Sequence, residues 1–308
     1  MATVATIRCP RCGNEVRGNY FTCTFCGKRL RKERIEEFYL FKRIEEEWVT
    51  PLGFFEKLIY LFINPSRAFW DINHLRKKSP GYFILLFNSL TYGLIGLATA
   101  SHVSIQSVIN SMRYPSLAPL ILYILFFLFG FVYQSLLYLF LIWIYGKAAN
   151  YSVNFSERLE QRFGGESIEK QQYKDRKLSP FSIYKGGTLL QTQKPYKTKM
   201  FMCAFVPFLI INPLNALILA IGLPDIYLSA PSGSADIFLM LFDPNSSVWA
   251  AVHIIEFIIM GFWVPLLMTI AIRELSNSST LRVLVSSYIV GILIAIFFYL
   301  LRPTLLGY

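Results

Sequence analysis

The chain has 308 residues, of which 54% are hydrophobic and only 16% are charged, with a formal net charge of +11. Soluble domains carry about 25% charged residues, and here the charges lie in stretches that alternate with long apolar runs. This pattern excludes an ordinary soluble globular protein and predicts a helical membrane protein. Residues 1–30 lack an apolar central region, so we expect no cleavable signal peptide.

The first 30 residues carry two Cys-x-x-Cys-Gly motifs, which contain four of the five cysteines: Cys9, Cys12, Cys23 and Cys26. Each spacing brings two sulfurs to one metal ion, and zinc accepts four thiolates tetrahedrally. Two disulfides or a redox dithiol could use the same residues. A cytoplasmic location argues against disulfides, and the duplicated motif argues against a redox site. Residues 1–30 therefore predict a zinc ribbon with a closed, structural Zn²⁺ site that supplies the folding energy.

Residues 31–80 link the ribbon to the first membrane span. The charged stretch 28–48 predicts a helix, and Phe54 to Ile72 is apolar but too short to cross a bilayer. The second stretch suits an amphipathic helix in the headgroup plane, with aromatic side chains at the interface. Packing of the same stretch against the underside of a helical bundle is the alternative, and the two arrangements are compatible.

The remaining chain, residues 81–308, predicts an all-α polytopic membrane domain. Five segments are long and apolar enough to cross about 30 Å of hydrocarbon at 1.5 Å per residue. A polar insert at 146–199 separates the second from the third, and we expect it to be a loop with at most one short helix. The segments are approximately residues 82–100, 118–145, 200–223, 248–272 and 283–301.

The distribution of Lys and Arg predicts the orientation of these spans. Residues 1–81 contain fifteen of them and the 146–199 insert eleven, whereas the loops 101–117 and 224–247 contain one and none. Basic segments stay in the cytoplasm, so five spans with a cytoplasmic N-terminus and an external C-terminus fit the alternation. The simplest explanation of the net positive charge is that basic segments set the orientation of the spans. Attraction of these segments to anionic lipid headgroups is a second explanation. We expect no nucleic-acid partner.

Few ionisable or amide side chains interrupt the spans, and four of them form a candidate intramembrane polar site. His253 and Glu256 share one face of the fourth span, and Asn212 and Asn215 reach a similar depth in the third. An intramembrane acid is a candidate functional residue. The alternative is a hydrogen-bonded residue that holds helices together.

Sequence signatures of enzymes are missing from the chain. It contains no His-Glu-x-x-His, Gly-x-Ser-x-Gly, Walker or Gly-x-Gly-x-x-Gly motif. Its three histidines, His74, His102 and His253, are dispersed. We therefore expect no catalytic residues and no enzymatic activity.

Three local features make residues 50–301 resemble the Yip family, the Ypt/Rab-GTPase-interacting five-span membrane proteins. They are the lead-in Phe54 to Ile72 with Asn64-Pro65, the entry to the third span from Tyr196 to Pro207, and the fourth span passing Gly261 to Arg273 and Glu274. The resemblance implies roles in vesicle trafficking or membrane shaping, with no catalytic residues. The long insert departs from the family, and the zinc ribbon is atypical of eukaryotic members. It points to a prokaryotic, archaeal version.

Two functions follow from this reading. The first is a non-enzymatic Yip-type membrane protein that organises or shapes the bilayer and recruits a cytoplasmic protein through its zinc ribbon; a homo-oligomer is compatible with this role. The alternative is a small-solute transporter or channel that uses Glu256 and His253. A cavity between the helices that reaches Glu256 would favour transport, and a dry, packed bundle would favour the scaffold.

Overall fold

The computed structural model describes residues 6–18, 20–23, 28–44, 48, 50–75, 79–104, 117–163, 194–224, 226–227, 246–275 and 278–301. Its described residues are mostly helical and divide into two compact units. The first unit comprises Met1–Ser79, Trp143–Phe201 and Leu266–Ser287. The second unit comprises Pro80–Ile142, Met202–Pro265 and Tyr288–Tyr308.

The first unit begins with a short antiparallel hairpin of β1 (Thr6–Arg8) and β2 (Glu15–Arg17), in which Ile7 pairs with Val16. Where the sequence predicts a charged helix over 28–48, the described residues form a single 3₁₀ turn, Arg34–Glu37. That prediction is wrong for the described residues, because two of the charged side chains form a buried ion pair that a solvated helix would not make. Arg29 and Glu36 are buried in ion pairs, which requires an irregular chain path.

Two short helices follow, α1 (Phe54–Ile63) and α2 (Pro65–Leu75), which meet at Asn64. Glu56 caps the start of α1, where the Gly53 amide donates to Glu56 Oε2 at 2.7 Å, the half of a capping box that does not need a side chain at the first position. Pro65 begins α2 because a proline is tolerated in the first turn of a helix.

Seven further helices follow in the described residues, most of them apolar. They are α3 (Gly81–Ser101), α4 (Ala118–Phe163), α5 (Lys194–Met202), α6 (Phe208–Gly222), α7 (Ser247–Ile258), α8 (Val264–Leu275) and α9 (Thr280–Ala295). A 3₁₀ turn, Cys203–Phe205, precedes α6, and π-helical turns follow α7 and α9 at Ile259–Trp263 and Ile296–Leu301. In the second unit, Val103–Ser104 (β3) pairs in parallel with Ile226–Tyr227 (β4).

Four helices are long and apolar enough to cross a membrane: Gly81–Ser101, Ala118–Ala149, Ser247–Leu275 and Thr280–Tyr299. The third predicted span is instead a bent pair, Thr198–Phe205 and Phe208–Gly222, with an angle of 40°. The described chain therefore has four spans, or five if the bent pair crosses as one. A multi-pass membrane protein fits this count. The structure describes only the two ends of the polar insert, where α4 continues as helix to Phe163 and α5 begins at Lys194; residues 164–193 of the predicted loop lie outside the described residues.

Close helix packing in the second unit depends on glycines. A β-carbon at Gly130 of α4 would lie 2.5 Å from the Tyr92 ring of α3, and one at Gly96 of α3 would overlap the ring of Phe126. Each glycine thus admits an aromatic ring from the other helix. Nearby, the rings of Tyr138 and Phe205 stack in parallel with centroids 4.0 Å apart.

Candidate functional site

A cluster of three cysteines lies at the end of the β1–β2 hairpin. The sulfurs of Cys9, Cys12 and Cys23 lie within 4.8 Å of one another, and the Cys12 and Cys23 sulfurs are 3.7 Å apart. This separation is far longer than a disulfide bond, so these two sulfurs are not joined by one. The cluster could hold a metal ion. The fourth predicted ligand, Cys26, lies outside the described residues.

Local backbone geometry brings these sulfurs together. Cys9 follows β1, and its amide donates to the Asn14 carbonyl at 2.9 Å, while the Gly13 amide donates to the Cys9 carbonyl at 2.9 Å. Gly13 has a φ of +70°, a conformation that side-chain-bearing residues rarely adopt;. The glycine after the motif is therefore required for the turn. On the other side, the Cys23 amide donates to the Lys28 carbonyl at 2.8 Å.

A small apolar core supports the cysteine cluster. Cys9, Cys23 and Val16 are buried together, with Tyr20 and Leu30 packed against them. Five side chains cannot supply the stability of an independent domain. A metal ion held by the three cysteines would supply the missing free energy.

We call residues 6–30, the hairpin and the cysteine cluster, the metal-binding module, after the ion that the cysteines could hold. Arg29 connects this module to the segment between α8 and α9. Its guanidinium donates to Thr22 within the module at 3.4 Å, to the Ser278 carbonyl at 3.2 Å and to the Thr280 hydroxyl at 3.0 Å. The same guanidinium pairs with Glu36 at 2.5 Å. Its side chain is 4% exposed, so these contacts replace water around a buried charge.

Glu33, which directly follows this module in the chain, is hydrogen-bonded to the start of α9. Its carboxylate accepts from the Ser279 hydroxyl at 2.5 Å and from the amides of Thr280 and Leu281 at 2.6 and 3.2 Å. A carboxylate is stabilised there by the unpaired amides and the positive end of the helix dipole.

A second group of buried charges surrounds the end of α8. Glu274 pairs with Arg273 at 3.1 Å and with Arg43 at 3.3 Å, and all three side chains are buried. Arg273 also donates to the Phe41 carbonyl at 2.9 Å. We call Arg29, Glu33, Glu36, Arg43, Arg273 and Glu274 the charge cluster; it contains three positive and three negative side chains. In the sequence, the three arginines of this cluster count only toward the Lys and Arg pattern that predicts orientation, and nothing reveals that all of its side chains except Glu33 are buried.

The four predicted intramembrane polar residues line one cavity of about 440 Å³ within the second unit. Asn215 Nδ2 donates to Glu256 Oε1 at 2.8 Å, which links α6 to α7. The rings of His253 and Trp249 lie 6.0 Å apart, and Asn212 is on the cavity wall. Glu256 therefore both holds two helices together and faces open space.

Other polar residues on the same cavity wall were not predicted from the sequence. Gln134 and Tyr138, four residues apart on α4, line the cavity together with Tyr299. The Tyr138 hydroxyl accepts from Asn88 Nδ2 at 2.9 Å, and Gln134 Nε2 donates to the Asn88 carbonyl at 3.3 Å. The i,i+4 spacing of Gln134 and Tyr138 was a usable signal, because polar residues at that spacing share a helix face.

The rest of the cavity wall is mostly aromatic and aliphatic. Its wall includes the rings of Tyr92, Phe126, Tyr133, Phe208, Trp249 and Phe298. Among its described lining residues, Glu256 is the single carboxyl group, and none is Lys or Arg. The arrangement can accommodate a small molecule with a polar end and an apolar body.

No family model, curated protein or solved structure matches this chain. Its function therefore has to be argued from the metal-binding module, the charge cluster and the cavity.

Proposed function

We propose that the chain is a non-enzymatic integral membrane protein of Yip type, in which a zinc ribbon recruits a cytoplasmic protein and the helical bundle organises the membrane. The observation that carries this proposal is the attachment of the metal-binding module to the α8–α9 connection through Arg29 and Glu33. A module held by buried contacts presents its exposed surface in a constant orientation. Such preorganisation favours partner binding.

The metal in this proposal is zinc, held by Cys9, Cys12, Cys23 and Cys26. Three thiols in a turn-and-hairpin setting match the tetrahedral sulfur sites that zinc prefers. An all-cysteine set leaves no open position for substrate, which is consistent with a structural role and no catalysis.

The outer surface of α1 supports an organising role at the membrane. Phe55, Ile59 and Ile63 are spaced four residues apart and are 70%, 56% and 55% exposed, whereas Leu61 is buried. A helix with an exposed apolar stripe suits the boundary between headgroups and acyl chains. By contrast, α2 buries Ala68, Phe69 and Ile72, so the predicted interfacial role is retained for α1 alone.

The recruiting role can be tested by photocrosslinking. A benzophenone amino acid replacing the exposed Arg11 should form a specific adduct with a cytoplasmic protein in native membranes. The adduct should disappear in a Cys12→Ser background, since the ribbon surface depends on metal. The same probe at Leu293, which is 61% exposed on α9, is the control and should not form this adduct. An unchanged adduct in the Cys12→Ser background would contradict recruitment by the ribbon.

The proposed orientation places the N-terminus in the cytoplasm and the C-terminus outside. Two variants, each with one added cysteine, Ser156→Cys and Ser232→Cys, should differ in labelling when intact cells are treated with an impermeant maleimide. Only Ser232→Cys should gain label over the unmodified protein, because the basic insert stays inside. Labelling of Ser156→Cys would overturn the five-span arrangement.

A second candidate function, binding or transport of a small solute, is favoured by the cavity that reaches Glu256 and His253. The cavity meets the first requirement for solute passage, a polar space among the helices. Glu256 and the two asparagines would then contact the solute.

A further inference from the structure

We infer that the junction of α1 and α2 binds one anionic phospholipid of the bilayer, with the lipid phosphate at Arg67 and an acyl chain along Ile59 and Ile63. This inference rests on the proposed role of the helical bundle in organising the membrane, and it names the lipid class that this role uses. The recruiting role of the ribbon does not depend on it.

Two hydrogen bonds place α2 at one end of a candidate span. Ser66 Oγ accepts from Arg273 Nη2 at 3.2 Å, and Asn73 Nδ2 donates to the Glu274 carbonyl at 2.8 Å. The candidate span Ser247–Leu275 ends directly after these two residues of α8. Because a helix that crosses a bilayer ends near the headgroups, α2 and the start of its junction with α1 lie at the depth of the lipid phosphates.

The outer face of α1 offers a surface for acyl chains at this depth. Ile59 and Ile63 lie one helical turn apart and are 56% and 55% exposed. Ser66 also donates to the Leu40 carbonyl at 2.5 Å, which holds a second apolar segment beside the start of α2. That segment carries Phe38, which is 70% exposed. Exposed aliphatic and aromatic side chains of this kind favour insertion at the boundary between headgroups and acyl chains.

Arg67 supplies a positive charge next to the apolar face of α1. Its guanidinium carbon lies 4.7 Å from the centre of the Tyr60 ring, and its Nη1 donates to the Tyr60 hydroxyl at 3.2 Å. Tyr60 directly follows Ile59, so the guanidinium lies beside the exposed stripe. Within the described part of the chain, no carboxylate pairs with Arg67. A guanidinium held in one orientation suits the planar, two-point recognition of a phosphate.

The charges around the junction favour an anionic lipid over a zwitterionic one. Two exposed cations, Arg34 and Lys42, flank the segment that carries Phe38, and one exposed acid, Glu37, lies between them. The exposed Glu56 lies at the other end of α1, where it caps the helix. A zwitterionic headgroup would bring a further positive charge to this surface, whereas phosphatidylglycerol brings only its phosphate. Exposed Lys and Arg side chains at a bilayer surface favour anionic lipids for this reason.

Native mass spectrometry of the full-length protein in detergent would test this inference, with phosphatidylglycerol and phosphatidylcholine of identical acyl chains as the probes. We expect one phosphatidylglycerol to bind about tenfold tighter than phosphatidylcholine, the effect of one charge-assisted phosphate contact. Arg67→Gln should remove this preference, and Arg67→Lys, which keeps the charge, should retain part of it. Ile59→Ser should weaken binding of both lipids alike, because it removes only contact with the acyl chain.

Arg282→Gln is the matched control and should bind both lipids like the wild type. Arg282 is an exposed cation two residues into the candidate span Thr280–Tyr299, so it lies near the end of a span without the apolar stripe of α1. The Tm of each variant would show that it is folded. If Arg67→Gln does not fold, a full preference for phosphatidylglycerol in Arg67→Lys together with unchanged binding in Ile59→Ser would overturn the site.

The remaining outcomes separate the lipid class from the site. Equal affinity of the wild type for the two lipids would overturn the anionic class. Unchanged phosphatidylglycerol binding in both Arg67→Gln and Ile59→Ser would overturn the site at the α1–α2 junction. Displacement of the lipid by inorganic phosphate alone would assign the site to free phosphate and overturn the lipid. Crosslinking from position 11 and labelling at position 232 test the proposed function separately, so its failure is distinguishable from failure of the lipid site.

Discussion

Replacing Cys12 by serine should unfold the N-terminal metal-binding module and leave the membrane helices inserted. The Cys12 side chain is exposed, so the substitution removes almost no apolar packing and its effect reports loss of a metal ligand. Structural zinc supplies about 10–16 kcal/mol in small zinc modules at neutral pH. The apolar core of Cys9, Val16 and Cys23 cannot replace a contribution of that size.

Zinc content and limited proteolysis would measure this effect. The wild-type protein should hold one equivalent of zinc and resist cleavage within residues 6–30, whereas Cys12→Ser should hold none and be cleaved there. Arg11→Ser, an exposed change in the same turn, should behave like the wild type. The helices should remain in the membrane, because insertion depends on apolar length and not on the metal. A protease-resistant module in Cys12→Ser, or in metal-stripped wild type, would contradict the prediction.

Removing the charge of Glu274 should be the most destabilising single change in the first unit. Glu274 pairs with two buried arginines, Arg43 and Arg273, and its own side chain is 0% exposed. In Glu274→Gln both guanidiniums lose their anion while remaining buried, and breaking a buried pair in this way costs about 3–5 kcal/mol. The Tm in detergent should fall by roughly 10 °C, using the scale of 2–4 °C per kcal/mol for chains of this size.

Two comparison variants would show whether the loss arises from unpaired charge. Arg282→Gln removes an exposed charge two residues into α9 and should change stability by less than about 0.5 kcal/mol. The double variant Arg43→Met with Glu274→Gln should lose less than the sum of the two single variants, because the pair is coupled. Strict additivity, or a Tm for Glu274→Gln within 2 °C of the wild type, would show that the charge cluster does not stabilise the fold.

The two proposed roles use different parts of the chain. Recruitment depends on the ribbon and on its attachment through Arg29 and Glu33, all within the first unit. The second candidate function, binding or transport of a small solute, would depend on Glu256 and Asn215 within the second unit. Cys12→Ser and Glu256→Gln should therefore each abolish one activity and spare the other.

Features set by local pattern could be predicted from the sequence. Long apolar runs identify the spans, since only a helix satisfies its own backbone in hydrocarbon, and four of the five agree with the structure. The Cys-x-x-Cys-Gly pattern predicts the sulfur cluster because its geometry arises within one turn. Gly13, with its positive φ, is the residue that this turn requires.

The features that could not be predicted from the sequence depend on contacts between distant segments. The charged residues predicted a helix at 28–48, but Arg29 and Glu36 are buried and are hydrogen-bonded to Thr280, 251 and 244 positions away. Hydrogen bonding over that separation cannot be predicted from a local pattern. The cavity was equally unpredictable, because Gln134, Asn215 and Glu256 meet only when three helices pack together. Sequence alone thus determined which segments are long and apolar enough to cross a membrane and which cysteines could hold a metal ion. The tertiary structure decided which charges are buried and which polar groups share a space, since both depend on contacts between distant segments.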